Sequence, residues 1–233
     1  MKKICCLDAG HGPGCVNSSP DGAYKEHEFA CEMSTLIRAH LERCGISVVL
    51  TRGKSGYPSL AERAEISNKA GADLMVSLHS NACAGTGWHE SRGLLIYTSA
   101  EGKNAGRNIA ANAILDYMRA AGVMLSGSGL QHNPYTVLTK TKAPAVLIEY
   151  GFHDNREDAA LQLDAGHRAK LAEATAKGIC QALGEDWVPG NEPWYRAAQD
   201  WAVKRGVSDG TRPEDGATRA EIWEMLRKLE GEK

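Results

Sequence analysis

Short apolar runs alternate with helical patterns along most of the chain. The runs are KICCLD, ISVVLT, LMVSLH, GLLIYT and AVLIEY, and each is typical of a buried β-strand. The helical patterns begin with the stripe from Glu26 to Cys44, which Gly45 ends, and continue with YPSLAERAEISNKAG, NIAANAILDYMRAAG and HRAKLAEATAKGICQALG. This alternation predicts an α/β fold in which a twisted, mainly parallel sheet carries helices on both faces.

The α/β pattern stops near Leu183, where the turn-rich stretch GEDWVPGNEP follows it. We therefore predict a main domain over residues 1–183, a linker over 184–192 and a small helical appendage over 193–233.

The appendage contains two amphipathic patterns and three of the five tryptophans. Thr218 and Glu221 form a capping box before the second pattern. Each pattern groups apolar side chains on one face: Trp194, Ala198, Trp201 and Ala202 in the first, and Ile222, Leu226 and Leu229 in the second. A segment this small cannot bury so much apolar surface alone, so we expect it to dock on the main domain or on another copy of the chain.

Composition and charge narrow the functional classes. The chain has 233 residues, a net charge of -2 and no dense run of Lys or Arg, which removes the electrostatic case for nucleic-acid binding. No apolar run approaches the roughly 20 residues that cross a bilayer. The first run ends at Asp8 and is too short for the apolar core of a signal peptide. We expect a protein made in the cytoplasm without a signal peptide, with no nucleic-acid or membrane partner.

The seven cysteines are an odd number without CxxC spacing, so we expect neither a zinc–cysteine cluster nor a disulfide framework. Most fall in or beside predicted core elements, where a reduced cysteine behaves as a small apolar residue. A nucleophilic role for Cys15 is conceivable, but its sequence context contains nothing that would activate the thiol.

Three polar residues with catalytic potential follow predicted strands. KICCLD leads to His11 in LDAGHGPG, LMVSL leads to His79 in HSNA, and AVLIE leads to Glu149 in EYGF. The carboxyl ends of strands in an open α/β sheet border the crevice in which ligands bind. The three residues are therefore candidates for one shared site.

Two histidines and an acid, with one position left open, are a usual ligand set of a catalytic zinc. His11 and His79 would supply the imidazoles, and Glu26, which opens a helix shortly after the glycine-rich loop, would supply the carboxylate. Zinc held in this way lowers the pKa of bound water to about 7, polarises a substrate carbonyl and needs a nearby general base. Glu149 would take the proton of the water and later give it to a leaving amine.

Each of these residues also has an ordinary structural interpretation. His11 could be a loop histidine, His79 could bond to the backbone, and Glu149 could pair with an arginine. Glu26 and its neighbour Glu28 could each favour a helix start through their charge, and Glu28 is also the alternative third ligand. Four coinciding ordinary roles are a weaker explanation than one shared site.

Two further residues are candidate substrate contacts. Asn81 follows His79 in HSNA, and His132 lies in LQHNPYTVL, where it could line the cleft. A solvated loop is the alternative and favoured setting for His132.

The motifs resemble, in order, those of the zinc-dependent N-acetylmuramoyl-L-alanine amidases of the Amidase_3 type. The resemblance rests on LDAGHG, the helix-opening Glu26, LTR followed by LAERAEISNKAGADLMVSLHSNA, and PAVLIEYGFHDN, and it covers roughly residues 1–183. It implies one Zn²⁺ held by His11, Glu26 and His79, with Glu149 as the catalytic glutamate, on a mainly parallel sheet with flanking helices.

The appendage has a separate resemblance. The stretch PWYRAAQDWAVKRGVSDGTRPEDGATRAEIWEMLRKL is similar to a single S-layer-homology (SLH-like) repeat, including its TRAE signature. Wall-binding modules of this type generally have three repeats. A single repeat therefore implies that several chains pool their appendages, or that the appendage docks or dimerises.

The first resemblance implies a peptidoglycan hydrolase that cleaves the amide between N-acetylmuramic acid and L-alanine by zinc-activated water. The expected lack of an export signal favours a phage or prophage endolysin, which reaches the wall after the membrane is permeabilised. The alternatives are a sporulation or mother-cell autolysin of the same chemistry, a wall-binding protein with a vestigial site, and a peptidase or other zinc hydrolase. The expected partners are bacterial peptidoglycan and, through the appendage, other copies of the chain.

Overall fold

The structure, a computed structural model, describes residues 2–99, 105–190, 201–208 and 219–230. The chain divides into two compact units, Met1–Val188 and Pro189–Lys233. All the residues predicted to hold the metal or act on the substrate belong to the first unit.

A six-stranded sheet forms the centre of the first unit. Its strands are β1 (Ile4–Ala9), β2 (Ser47–Leu50), β3 (Leu74–Asn81), β4 (Leu94–Thr98), β5 (Leu125–His132) and β6 (Ala145–Phe152), in the order β2-β1-β3-β6-β4-β5. Strands β2, β1, β3 and β6 are parallel, whereas β4 is antiparallel to β6 and parallel to β5. The carboxyl ends of β1, β3 and β6 therefore lie at the same edge of the sheet.

The helices of this unit are α1 (Glu26–Arg43), α2 (Leu60–Lys69), α3 (Ala105–Ala120), α4 (Thr136–Thr139), α5 (Arg156–Leu163) and α6 (Ala165–Leu183). A capping box opens α2, because the Ser59 hydroxyl accepts from the Glu62 N–H and the Glu62 carboxylate accepts from the Ser59 N–H. Gly184 ends α6 with a left-handed φ of 73°. The four helical patterns predicted in this part of the sequence all form helices.

Alternate residues of each strand face opposite sides of the sheet, and helices cover both sides. Cys5 and Leu7 belong to the larger core, together with side chains of α1, α3 and α6. Cys6, which lies between them, belongs to a smaller core with Val137 and Leu138 of α4, and α2 packs beside α4. The predicted fold class, a mainly parallel sheet with helices on both faces, is confirmed.

One strand was missing from the prediction. The apolar runs indicate five strands, and the structure adds β5, whose sequence is LSGSGLQH. Gly127 and Gly129 adopt φ values of 56° and 81°, and Gly129 is the only buried residue of this edge strand. An exposed, glycine-containing strand has no apolar pattern to reveal it. The expectation that His132 lies in a loop is therefore wrong, since His132 is the last residue of β5.

In the second unit the structure describes residues 189–190, 201–208 and 219–230. Residues 201–204 and Arg219–Glu230 are helical. The first helix lies within the first predicted amphipathic pattern, and the second helix extends one residue beyond the second pattern, which ends at Leu229. Trp201, Ile222, Trp223 and Leu226 are between 44% and 66% exposed. Trp194, Ala198, Thr218 and the side chain of Leu229 lie outside the described residues. In the parts of the chain that are described, no helix is long and apolar enough to span a membrane.

Candidate metal centre and catalytic site

The fold brings His11, Glu26 and His79 together at the carboxyl edge of the sheet. His11 lies two residues beyond β1, Glu26 is the first residue of α1, and His79 lies near the end of β3. One nitrogen or oxygen atom from each side chain falls within 4.8 Å of the other two. Among the described residues this is the only group of three or more such side chains that could hold a metal ion.

Glu26 lies between the two imidazoles. Its Oε1 is 2.9 Å from His79 Nδ1, and its Oε2 is 3.3 Å from His11 Nε2. Burial would raise the pKa of Glu26, but the contacts with His11 and His79 hold it well below its usual range. Burial would likewise lower the pKa of His79, but Glu26 raises it to about 9. The buried carboxylate thus stabilises positive charge at the centre of the cluster, as a bound cation requires.

Further hydrogen bonds fix the Glu26 carboxylate in this position. The backbone N–H of Ser80 donates to Oε1 at 3.0 Å, and the side-chain amide of Asn17 donates to Oε2 at 2.9 Å. Glu26 is 1% exposed, whereas the Glu28 side chain is 63% exposed and pairs with Lys25. Glu26, and not Glu28, is the acid that the structure brings to the histidines.

A chain of buried polar groups supports His79 from behind. Its Nε2 lies 3.1 Å from the Ser77 hydroxyl, which donates to Asp8 Oδ2 at 2.6 Å. Thr51 and Arg63 both donate to Asp8 Oδ1, at 2.5 and 2.8 Å. With Nε2 bonded in this way, Nδ1 of His79 is the nitrogen that faces Glu26 and the cluster.

Gly10 allows β1 and β3 to approach closely enough for the cluster to form. A Cβ atom at this position would lie 2.4 Å from Cε1 of His79, far inside the van der Waals limit. Any residue larger than glycine would therefore displace the His79 ring, which explains a glycine directly before His11.

Glu149 lies beside the cluster on the neighbouring strand. It pairs in register with His79, and its Oε2 is buried and has no hydrogen-bond partner among the described residues. Burial raises the pKa of Glu149 to about 8, with His79 lowering it and Glu26 raising it further. A carboxyl group with this pKa can both accept and donate a proton near neutral pH.

A cleft of about 350 Å³ opens next to Glu149. Its walls are mainly apolar, and its lining residues are Leu60, His79, Pro134, Tyr135, Thr136, Val137, Leu147 and Glu149. Tyr135 packs edge-on against Tyr97, with 5.2 Å between the ring centroids. The candidate base and one of the candidate ligands thus share a cleft with apolar walls.

Comparison of the sequence with known protein families identifies the family to which the chain belongs. Residues 5–181 match the family model described as N-acetylmuramoyl-L-alanine amidase. The chain belongs to this family. The resemblance drawn from LDAGHG, HSNA and the other motifs is confirmed at the level of the family. The match covers all four residues of the site and the whole sheet except Ile4.

This protein is similar in sequence to curated proteins that include a phage endolysin and a cell wall amidase. It is 30% identical over 184 residues to an endolysin of Bacillus phage SPP1, a match that covers 78% of this chain and 67% of the endolysin. It is 28% identical over 179 residues to the probable cell wall amidase LytH of Staphylococcus aureus, covering 76% of this chain and 57% of LytH. The chain therefore spans about three fifths to two thirds of the length of these relatives.

Solved structures of the family share the fold of the first unit. The catalytic domain of the amidase CwlV from Bacillus (Paenibacillus) polymyxa var. colistinus superimposes with a TM-score of 0.71 at 25% identity, covering 79% of this chain and 99% of that one. The amidase Ami1 from Mycobacterium abscessus gives a TM-score of 0.69 at 27% identity, covering 78% of this chain and all of that one.

The two predicted substrate contacts lie outside the metal cluster of this family member. Asn81 is half-buried at the end of β3, where its Oδ1 accepts from the backbone N–H of Ala82 at 2.9 Å. His132 is exposed at the end of β5, and its Nδ1 lies 2.7 Å from the Thr98 hydroxyl. Neither is among the described residues that line the cleft beside Glu149.

The sequence motifs did not reveal the residues that hold the ligands in place. Ser77 could have been found, because it lies two positions before His79 and residues two apart on a strand face the same side. Asn17 gave no such signal, since it reaches Glu26 only through the path of the loop between β1 and α1.

Proposed function

We propose that the protein is a peptidoglycan hydrolase that cleaves the amide between N-acetylmuramic acid and the L-alanine of the stem peptide. The observation that carries the proposal is the convergence of His11, Glu26 and His79 beside Glu149, in a chain of the amidase family. Family membership supports the type of reaction, and the ligand cluster supports its dependence on a metal.

The cluster fits one zinc ion. His79 would bind through Nδ1 and His11 through Nε2, because these are the nitrogens nearest the Glu26 carboxylate. Two imidazoles and one carboxylate match the ligand types of catalytic zinc sites and leave a position open. When bound, zinc would polarise the scissile carbonyl and lower the pKa of water to about 7.

Glu149 would move the proton. As the water attacks the lactyl carbonyl carbon, the Glu149 carboxylate would accept a proton from the water. It would then deliver that proton to the alanine nitrogen as the carbon–nitrogen bond breaks. Burial of Glu149 supports this role, because it raises the pKa to about 8 and so allows both halves of the transfer.

The apolar cleft would bind the substrate beside the reacting bond. Leu60, Tyr135 and Leu147 would exclude bulk water and cover the methyl groups next to the amide. Asn81 and His132 remain proposed contacts to more distant parts of the glycopeptide. They end β3 and β5 at opposite edges of the sheet, because β5 is parallel to β4 and β4 is antiparallel to β6.

We further propose that the biological setting is lysis by a phage or prophage endolysin, with a sporulation or mother-cell autolysin as the alternative. The relationship to an endolysin of phage SPP1 supports the first setting. The protein would be made in the cytoplasm and would reach peptidoglycan after membrane permeabilisation. The SLH-like appendage would bind the wall or join copies of the chain, as its exposed Trp201, Ile222 and Trp223 favour.

The proposal is tested by zymography on purified cell walls, with and without a zinc chelator, followed by mass analysis of the digest. We expect clearing that the chelator abolishes and zinc restores, and products in which muramic acid has lost its stem peptide and L-alanine has gained a free amino terminus. Clearing that is insensitive to chelator would contradict zinc dependence. New amino termini between amino acids would indicate a peptidase, and wall binding without clearing would indicate a vestigial site.

A further inference from the structure

The cysteine that follows the GHGPG loop lies directly against one of the proposed metal ligands. Cys15 Sγ is 3.3 Å from Nδ1 of His11, and the opposite ring nitrogen, Nε2, lies 3.3 Å from Glu26 Oε2. The His11 ring is thus held between a sulfur atom on its outer side and the metal cluster on its inner side. Cys15 has no part in the chemistry proposed above.

The backbone between the two residues holds this contact in place. The Cys15 N–H donates to the carbonyl of Gly12 at 3.1 Å, which closes a turn with Pro13 in its second position and Gly14 in its third. Gly14 has a φ of 89°, the left-handed value that a type II turn requires at that position, and proline favours the position before it. The sequence GPGC therefore encodes the turn that returns the chain to His11.

Two more features restrict the pair. The backbone N–H of Asn17 donates to Cys15 Sγ at 3.5 Å, which orients the sulfur. His11 has a φ of 56° and is the only non-glycine residue with a positive φ in the described parts of the chain. A histidine in this conformation needs support from its surroundings, since side chains rarely adopt it.

We propose that Cys15 is a positioning residue for the metal: its sulfur accepts a hydrogen bond from Nδ1–H of His11 and keeps Nε2 unprotonated and directed at the metal. A histidine that binds a metal through one nitrogen almost always donates the other N–H to an acceptor, and loss of that acceptor typically weakens metal binding about 10- to 100-fold. Ser77 provides the acceptor for His79, and Cys15 provides it for His11.

This inference rests on the proposed metal site and is tested by the zinc affinity of the full-length protein, measured by competition with a chromophoric chelator. We expect Cys15→Ala to bind zinc about 10-fold more weakly or worse. Cys15→Ser, which restores an acceptor, should recover most of the affinity. Cys83→Ala is the matched control, because Cys83 is also half-buried. Among the described residues its one hydrogen bond is made by the backbone N–H, which donates to Asp154 Oδ2. Its zinc affinity should equal that of the parent.

A second measurement uses the unmodified protein and does not depend on how the variants fold. Long-range ¹H–¹⁵N correlation spectra of the zinc-loaded protein should show His11 protonated at Nδ1. An unprotonated Nδ1, or an affinity of Cys15→Ala equal to the parent, would overturn the role of Cys15. Equal losses in Cys15→Ser and Cys15→Ala would also overturn it. Failure of the parent to bind zinc at all would instead remove the metal site itself.

Discussion

Glu149 is required for the proposed proton transfer but is not one of the proposed metal ligands. It lies opposite His79 in the sheet, and its buried Oε2 has no hydrogen-bond partner in the parts of the chain that the structure describes. We predict that Glu149→Gln retains full zinc content but loses about 100-fold or more in kcat, because glutamine has the same shape but cannot accept the proton of the attacking water. Release of stem peptide from purified walls measures the rate, and atomic absorption measures the zinc.

Two substitutions serve as controls for this prediction. His79→Ala should lose zinc as well as activity, because it removes a proposed ligand. Glu28→Gln makes the same chemical change on an exposed residue of α1 and should alter neither quantity. Full activity in Glu149→Gln would assign the proton transfer to another group, and equal zinc content in His79→Ala and the parent would refute that ligand.

At the scale of single residues, the motifs predicted the side chains that converge on the site. They did not predict the residues that hydrogen-bond to those side chains and hold them in position. His11, Glu26, His79 and Glu149 stand in short, recognisable contexts at the ends of apolar runs. Cys15 gave no functional signal, because its contact with His11 depends on the conformation of one turn. The roles of all these residues stay predictions until the variants are measured.

At the scale of elements, a buried ion pair joins α2 to the carboxyl end of β1. Arg63 is 2% exposed and donates to Asp8 Oδ1 at 2.8 Å and to the backbone carbonyls of Ala9 and His11 at 2.6 and 2.5 Å. Burial alone would raise the pKa of Asp8, but Arg63, Ser77 and Thr51 together lower it below its usual value.

We predict that Arg63→Met lowers the free energy of unfolding by about 3–5 kcal/mol at pH 7, because Asp8 is left as a buried charge without its main partner. Urea denaturation measures the change. In the parent the pKa of Asp8 is lowered by folding, so its stabilising contribution is present above the ordinary pKa of about 3.9 and is lost as the pH falls through the value in the folded protein. The difference between parent and variant should therefore shrink in acid.

An exposed pair provides the control for this experiment. Arg38 and Glu42 form an ion pair on α1, with both side chains nearly half exposed. Arg38→Met should cost no more than about 0.5 kcal/mol. If Arg63→Met cost as little, the buried pair would not be what fixes α2 to β1.

The hydrophobic pattern of the sequence predicted some strands and not others. Four of the five apolar strands were predictable because most of their side chains are buried, and the edge strand β2 because its half-buried residues are mainly apolar. The other edge strand, β5, has exposed residues that carry no apolar period. The direction of β4 could have been questioned, since successive strands that run parallel in one sheet need a crossover connection, which usually contains a helix. Residues 82–93, between β3 and β4, contain no helix, and β4 runs antiparallel to β6.

At the scale of the whole molecule, the end of the first unit lies beyond the predicted domain end at residue 183. Trp187 packs on α1, with its ring 5.6 Å from that of His40, 5.5 Å from the Arg43 guanidinium and 5.2 Å from the Lys177 ammonium group of α6. The carbonyl of Val188 accepts from Arg43 Nε at 2.9 Å. These contacts belong to the predicted linker 184–192, so a truncation that tests the appendage must leave them intact.

We predict that the chain cut after Gly190 keeps the zinc content of the parent, the Tm of its first unit and its catalytic rate on small muropeptides. The reason is that the sheet, the metal cluster and the Trp187 contacts all lie before the cut. It should lose affinity for sedimented cell walls or elute as a smaller species, since it lacks the exposed Trp201, Ile222, Trp223 and Leu226.

The chain cut after Gly184 is the matched control for this truncation. It should lose the same wall affinity or oligomer size but also about 4–8 °C of Tm, from about 2 kcal/mol of lost packing and cation–π contacts around Trp187. Wall binding and elution volume unchanged by both cuts would leave the SLH-like resemblance without a function in this protein.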